Sequence, residues 1–134
     1  MNYVLDASAM VAYLRQEYGC EVVEGLLTDT SNSFYAHAVN LMEVFYDHRR
    51  SGGEDAAQGV LRALANVRVQ AQELLDPPLW QDAARIKADC ARVSLADCCG
   101  LALARRLGAA FLSTDKHELD RDEIRSLCPI VFIR

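Results

Sequence analysis

Acidic residues follow two apolar segments of the sequence, where they could act together on a phosphate ester. Asp6 directly follows the short apolar run 3–5, and Asp115 comes shortly after the apolar run 110–113. Both runs predict short buried strands. Because ligands of open α/β sheets bind beyond the carboxyl ends of the strands, we expect both carboxylates at the same edge of one sheet.

Two further acids belong to predicted helices that could reach that edge. Asp97 falls in the first turn of a helix that Ser94 is expected to cap, and the N-terminus of this helix should point towards the same edge. Glu43 lies in an otherwise apolar stretch of the amphipathic helix 39–50, so we do not expect it to be freely solvated. The four acids are far apart in the sequence and would come together only through folding.

If these four carboxylates converge, their mutual repulsion requires a counter-charge. Two like charges ~5 Å apart at an effective dielectric of ~20 repel each other by about 3 kcal/mol. The site must therefore raise some carboxyl pKa values or bind cations, and hard oxygen ligands select Mg²⁺ or Mn²⁺. Such an ion can activate water and polarise a phosphoryl group, so phosphodiester hydrolysis is the expected reaction.

Each acid taken alone also has a structural explanation. Asp6 could cap the helix that begins near Ser8. Asp97 could complement the helix dipole, and Asp115 could belong to a turn. Glu43 is the hardest to explain structurally, because its neighbours in the sequence are apolar. The occurrence of all four at one sheet edge favours a functional interpretation.

The elements that must position these acids alternate along the chain. Strands separated by helices predict a parallel sheet covered on both faces, and the lack of any linker or repeat predicts one α/β domain over residues 1–134. We expect Ser8 to be the N-cap of the first helix. The predicted strands are 3–5, 33–36, 67–69, 110–113 and 130–133, and the predicted helices are 9–16, 21–27, 39–50, 54–64, 77–91 and 95–107.

Composition and charge limit the classes of protein that the chain can represent. Its 134 residues, 51% hydrophobic and 25% charged, suit one soluble globular domain. No apolar segment reaches the roughly 18–20 residues that span a bilayer, and no signal peptide is recognisable, so we expect no membrane association and a cytoplasmic location. The net charge of −5 argues against binding nucleic acid through a general positive field. It leaves room for an enzyme that holds phosphates through metal and a few local basic residues.

The cysteines and the large apolar side chains are expected to serve packing. There are five cysteines and no Cys-x-x-Cys spacing, which argues against a disulfide framework and against a zinc site. Met42 and Tyr46 are expected on the buried side of the helix 39–50. Trp80 is expected in the core or in a dimer contact.

Four short motifs, in order along the chain, resemble those of PIN domains, especially the toxins of bacterial VapBC toxin–antitoxin pairs. Each motif contains one of the four acids, and the closing segment 130–134 is similar to the usual last strand of the family. The resemblance therefore covers essentially the whole chain. The motifs are Val4-Leu5-Asp6-Ala7-Ser8-Ala9, Val39-Asn40-Leu41-Met42-Glu43-Val44, Ser94-Leu95-Ala96-Asp97 and Phe111-Leu112-Ser113-Thr114-Asp115-Lys116-His117-Glu118-Leu119.

The resemblance implies a three-layer α/β/α PIN-like domain with a central, mainly parallel sheet. It implies a divalent-metal endoribonuclease that hydrolyses RNA, with Asp6, Glu43 and Asp97 as core metal ligands or as their hydrogen-bonded supports. Asp115 is carried over as a fourth acid whose role varies in the family. The resemblance also implies a homodimer and a cognate antitoxin protein that occludes the active site.

Polar residues next to the acids could support them. By the resemblance, Ser8, Thr114 and Asn40 would fix waters or carboxylates around the metal. For Asn40 the alternative is that it caps a helix beginning near Leu41. Lys116 directly follows the fourth acid and is the best-placed candidate for a phosphate contact. The other basic candidates for phosphate contacts are Arg15, Arg49, Arg50 and Arg68.

Three other functions compete with a metal-dependent ribonuclease. A phosphohydrolase of the haloacid-dehalogenase type also has an Asp after its first strand, but it needs a second Asp two residues later, where this chain has Ser8. A catalytically silent PIN-fold module that binds RNA or protein would be marked by the loss of an acid, and all four acids are present. A plain interaction domain leaves Glu43 within an apolar segment without a reason.

Overall fold

The computed structural model describes all residues 1–134, and at its centre is a sheet of five parallel strands. The strands are β1 (Asn2–Leu5), β2 (Ser33–His37), β3 (Val69–Gln72), β4 (Ala110–Ser113) and β5 (Ile130–Phe132). Their order in the sheet is β3-β2-β1-β4-β5. Four of these strands agree with the predicted positions, and all connections between neighbours are crossovers, as a parallel sheet requires.

The strand order creates a crevice beside β1. Strands β2 and β3 lie on one side of β1, and the later strands β4 and β5 lie on the other side. Ligands of open parallel sheets bind at such a reversal, beyond the carboxyl ends of the two central strands. Leu5 pairs in register with Leu112, so β1 and β4 end at the same level. Asp6 directly follows β1, and Ser113 is the last residue of β4.

Helices cover both faces of the sheet. The helices are α1 (Ala7–Leu14), α2 (Cys20–Thr28), α3 (Ala38–Gly52), α4 (Glu54–Asn66), α5 (Pro77–Asp89), α6 (Leu95–Leu107), α7 (Lys116–Leu119) and α8 (Asp122–Arg125). One apolar core contains residues of α1 to α4, and a second core on the other face contains residues of α5 to α8. This confirms the predicted three-layer α/β/α fold with a parallel central sheet.

Local sequence fixes where several helices begin and end. Asp76 accepts a hydrogen bond from Leu79 N at 3.0 Å, and Pro77 supplies the first helical residue of α5. Ser94 caps α6 by accepting from Asp97 N at 3.1 Å, as predicted. Gly108 ends α6 in the left-handed conformation, with φ of 60°.

The prediction of the third strand was wrong by two residues. Val67 N still donates to Ala63 O, so residue 67 completes helix α4. Arg68 then takes a left-handed backbone conformation with φ of 71°, which turns the chain, and β3 begins at Val69. The alternating pattern Val-Arg-Val suggested a strand because sequence alone does not reveal this turn.

Two smaller expectations at helix ends were also wrong, and two short helices were missed. Asp6, not Ser8, caps α1, because the side chain of Asp6 accepts from Ala9 N. Helix α5 ends at Asp89 and not at residue 91, since Cys90 already has non-helical backbone angles. The short helices α7 and α8 had not been predicted, because four residues give too little periodicity to recognise.

Met42 and Tyr46 are on the surface, contrary to expectation: Met42 is 62% exposed and Tyr46 51%. Trp80 is 49% exposed and so is not in the core, and its alternative place in a dimer contact stays a prediction. Val44 supplies the buried side of α3 near its middle. All five cysteines are free; three are buried and two partly buried. None of the helices combines the length and the apolar character that crossing a bilayer requires.

Candidate active site

Asp6 occupies the crevice between β1 and β4, and its carboxylate is held on both oxygens. Ser8 Oγ donates to Oδ1 at 2.6 Å, and Ala9 N donates to the same oxygen at 2.8 Å. Ser113 Oγ donates to Oδ2 at 2.5 Å. The residue is only 2% exposed, and burial raises its pKa to about 6 even though these hydrogen bonds act to lower it.

Two serines connect Asp6 to the loop that follows β4. Ser113 Oγ accepts from Asp115 N at 3.0 Å while it donates to Asp6. Ser8 Oγ accepts from Thr114 N at 3.0 Å while it also donates to Asp6. Each serine hydroxyl thus donates its only proton to the Asp6 carboxylate and accepts a hydrogen bond from a backbone amide. The first and last acidic motifs are joined in this way across more than 100 residues of sequence.

Asp97 lies in the first turn of α6, as predicted, and it interacts with the other three acids. Burial is the main cause that raises its pKa to about 8, and repulsion from Asp6, Glu43 and Asp115 raises it further. The carboxyl is therefore close enough to all three for their charges to matter. The four acids that the sequence singled out are thus brought into one electrostatic neighbourhood.

Glu43 is partly buried on α3, and burial raises its pKa. One turn earlier on the same helix, Asn40 is fully buried, and its Nδ2 donates to Ala96 O at 3.2 Å. This bond ties α3 to α6 next to Asp97. Asn40 Oδ1 is a buried atom without a hydrogen-bond partner. The alternative role of Asn40 as a helix cap is wrong, because His37 caps α3 through its Nδ1.

Asp115 follows β4 and caps the short helix α7, with Oδ1 accepting from Glu118 N at 3.0 Å. Thr114, the residue before it, contributes its backbone amide to the serine network. Lys116 is exposed, and its Nζ is 5.9 Å from the centre of the Phe132 ring. The turn role and the site role of Asp115 are therefore compatible, because the cap uses only one carboxylate oxygen.

No basic side chain neutralises the four acids. The protein has seven ion pairs, and none of them involves Asp6, Glu43, Asp97 or Asp115. Among the basic candidates, Arg15 pairs with Asp47 and Arg49 pairs with Glu54. Arg68 donates to Leu27 O at 2.8 Å. The four carboxyl groups at the crevice therefore have no basic partner within the protein.

The carboxylates do not form a closed metal cage. No group of three or more His, Cys, Asp or Glu side chains is arranged closely enough to hold one ion by itself. The available donors are carboxylate oxygens, which are hard ligands. Asp6, Glu43 and Asp97 have raised pKa values mainly because of burial, and a cation at the site would relieve the repulsion that contributes to the shift at Asp97.

Sequence reasoning missed Ser113. It was treated as the last residue of an apolar strand, yet it is fully buried and bonded to both Asp6 and Asp115. A signal was present, since a serine at the carboxyl end of an otherwise apolar strand needs a polar partner when it is buried. That partner could be identified only after the pairing of β1 with β4 was known.

The fold and the site define a class of α/β protein with an acidic centre at the topological switch point of a parallel sheet. A model of the PIN domain family matches residues 3–123, and the chain belongs to this family. This confirms the resemblance of the four acidic motifs. No curated protein matches the chain in sequence.

Solved structures of toxin–antitoxin proteins are similar in fold. A chain of the VapBC2 complex from Rickettsia felis, solved with a DNA fragment from its promoter, is 14% identical with a TM-score of 0.73, and 98% of each chain is covered. A chain of DNA-bound VapBC from Salmonella typhimurium is 16% identical with a TM-score of 0.73, covering 100% of this chain and 99% of the other. VapC20 of Mycobacterium tuberculosis, a toxin that cleaves the sarcin–ricin loop, is 16% identical with a TM-score of 0.66, covering 86% and 91%.

Proposed function

We propose that this protein is a divalent-metal-dependent endoribonuclease and the toxin of a toxin–antitoxin pair. The observation that carries the proposal is the carboxylate of Asp6, buried in the crevice and fixed on both oxygens, with the carboxyl of Asp97 near enough to repel it. A buried acid that serves only as a helix cap would not need three donors and a second acid at its side. Membership of the PIN family supports the nuclease class.

Mg²⁺ or Mn²⁺ suits the residues present. Asp6 and Asp97 would hold the ion, with Glu43 and Asp115 as further ligands or as acceptors for its waters. The open arrangement agrees with the coordination of Mg²⁺, which usually takes one or two protein carboxylates and completes its shell with water and substrate phosphate. When bound, such an ion makes water more acidic and polarises the phosphate to be cleaved.

Residues around the acids orient this site. Ser8 and Ser113 set the plane of the Asp6 carboxylate, and with the bond from Ala9 N they leave one lone pair, on Oδ2, for the ion. Asn40 holds α3 against α6 and thereby fixes the separation of Glu43 and Asp97. Thr114 takes part through its backbone amide. Lys116 is a candidate for contact with a phosphate at the edge of the site.

RNA is the proposed substrate, and the cytoplasm is the proposed location because that is where RNA targets occur. A solved structure similar in fold is that of a toxin that cleaves the sarcin–ricin loop, which supports RNA over DNA. The same family motifs lead us to propose a homodimer. Hydrolysis would depend on the acids of the crevice, because no Cys–His or Ser–His pair is hydrogen-bonded near it.

An antitoxin protein is the proposed partner. An apolar groove of about 610 Å³ runs between α3, α4 and β3, and Glu73 is the only charged residue that lines it. Met42 and Tyr46 are exposed at its border. Exposed apolar grooves of this kind are typical of protein interfaces. The toxin–antitoxin complexes among the solved structures similar in fold support a partner of this class.

Cleavage of RNA by defined variants tests the proposed function. Purified protein, free of any co-purified partner, is incubated with mixed cellular RNA and Mn²⁺ or Mg²⁺, with EDTA as the metal-free control. Asp6→Asn and Asp97→Asn are expected to reduce the cleavage rate at least a hundredfold, because each removes one ionised ligand. The matched control is Asp89→Asn, at the exposed end of α5, which should cleave at the wild-type rate.

The outcomes separate the competing functions. Cleavage that requires metal and is lost in both site variants supports the nuclease, and sequencing of the fragment ends then gives the target site. Cleavage that persists in EDTA or in both site variants would refute the proposed centre. Tight binding of RNA without cleavage by the wild type would instead favour a catalytically silent PIN-fold module.

A further inference from the structure

A polar groove leads away from the acidic crevice along helix α3. It has a volume of about 400 Å³, and Ser8 and Glu43 form its inner end. Tyr46 and Arg50 line its outer part. These two residues come three and seven positions after Glu43, so they lie on the same face of the helix. Arg50 is about 10 Å from Glu43 along the axis, given ~1.5 Å per residue.

Tyr46 presents a flat surface beside the proposed cleavage site. It is 51% exposed, although it was expected to be buried. The guanidinium of Arg50 lies over its ring, 5.3 Å from the ring centre. Aromatic rings and guanidinium planes are the surfaces on which proteins stack unpaired RNA bases.

Arg50 is the basic residue of this groove that has no acidic partner. The nearby acid Asp47 is paired with Arg15 at 2.8 Å. Glu17, on the other wall, faces Arg134 at 3.9 Å. Arg50 takes part in none of the ion pairs of the protein, and its guanidinium packs on the ring of Tyr46. Its charge is therefore available to a phosphate.

We infer that Tyr46 and Arg50 form a strip on α3 that binds single-stranded RNA next to the scissile phosphate. A base flanking that phosphate stacks on the Tyr46 ring, and Arg50 binds a neighbouring phosphate. The inference rests on the proposed ribonuclease function and adds where the RNA lies. Local binding of this kind explains how a chain with a net charge of −5 can hold a polyanion.

RNA affinity in the absence of cleavage tests the strip. Binding of a short, labelled, single-stranded RNA pool of mixed sequence is measured in EDTA, and again with Ca²⁺, for the wild type and the strip variants. Tyr46→Ala should weaken binding about tenfold or more, whereas Tyr46→Phe should bind like the wild type because it retains the ring. Arg50→Ala should weaken binding and make the slope of log affinity against log salt shallower by about one.

Matched controls come from exposed residues of the same types. Arg85 and Trp80 are both exposed on α5, across the sheet, and Arg85, like Arg50, takes part in none of the ion pairs. Arg85→Ala and Trp80→Ala are expected to bind RNA within about twofold of the wild type. All variants change exposed side chains, and their melting temperatures check that they are folded.

Each outcome decides for or against the strip. Equal RNA affinity of the strip variants and the control variants would overturn the inference, as would a wild type that binds no RNA in either condition. If Tyr46→Ala keeps its RNA affinity but no longer binds the proposed antitoxin, the surface is a protein interface instead. Tyr46-dependent binding without metal-dependent cleavage would support the strip while refuting the proposed nuclease.

Discussion

The folded protein disfavours the charged form of Asp97. Burial and the three neighbouring acids raise its pKa from 3.8 to about 8. Between these two pH values the folded protein retains a proton that the unfolded chain has lost. Asp97 therefore does not lower the free energy of unfolding below about pH 4. Its ionisation lowers that free energy increasingly as the pH rises, and the full loss is reached above about pH 8.

Asp97→Asn should stabilise the metal-free protein, because asparagine removes the buried charge and keeps the shape. In EDTA near pH 8 we expect the free energy of unfolding to rise by roughly 1–3 kcal/mol after allowance for partial exposure. The gain should shrink towards pH 5, where wild-type Asp97 is already protonated. Thermal unfolding at both pH values measures this, and Asp89→Asn serves as the control. A lower melting temperature for Asp97→Asn at pH 8 would contradict the interpretation.

At the level of single residues, the sequence identified the acids but not the residues that hold them. Glu43 stood out because a carboxylate in an apolar segment needs a special explanation. Asp97 stood out because it lies in the first turn of a helix expected to point at the sheet edge where Asp6 lies. Ser113 could not be predicted, because a serine at a strand end is common and its partner Asp6 is 107 residues away. The cap of α1 was assigned to Ser8, since serine and aspartate are equally good caps and only the backbone angles separate them.

The packing of α3 against α6 sets the separation of two of the acids. Gly100 faces the contact from α6, and a Cβ atom placed on it would lie 2.7 Å from Phe111 Cε1 and 3.0 Å from Asn40 Nδ2. A glycine at this position therefore lets the helix approach β4 and the Asn40 amide closely. Any side chain would push α6, and Asp97 with it, away from Glu43.

Gly100→Ala is expected to destabilise the protein even though alanine favours helices. We predict a loss of about 1–3 kcal/mol from overpacking. Gly59→Ala, in the middle of α4, is the matched control, since the nearest atom to its Cβ is Arg62 Nη2 at 3.8 Å. That variant should gain about 0.5–1 kcal/mol from helix propensity. Urea unfolding of both variants compares them, and stabilisation by both would show that α6 does not pack as described.

At the level of elements, helix starts with Pro or Ser signals were predictable, whereas strand order was not. Asp76, Pro77 and Ser94 mark their helices through local hydrogen bonds that the sequence encodes directly. The order of the strands depends on contacts between distant segments, so the crevice between β1 and β4 could only be assumed. The start of β3 was misplaced because the turn at Arg68 uses a backbone conformation that arginine rarely adopts.

Across the whole molecule, the acidic crevice, the polar groove and the apolar groove are continuous. Tyr46 borders both grooves, and Glu43 connects the polar groove to the crevice. A protein bound in the apolar groove would therefore cover the outer end of the proposed path for RNA. This arrangement gives a physical route by which one partner could block access to the site.

Binding of Mn²⁺, followed by the loss of its free electron paramagnetic resonance signal, tests most directly whether the acids form a cation site. We predict that the wild type and Asp89→Asn bind Mn²⁺ alike, because Asp89 is exposed and does not contribute to the pKa shifts of Asp6 and Asp97. Asp6→Asn and Asp97→Asn should each weaken binding about tenfold or more, as expected when a ligand or its support is lost. Equal binding by all four proteins, or no binding by the wild type, would contradict the proposed metal site.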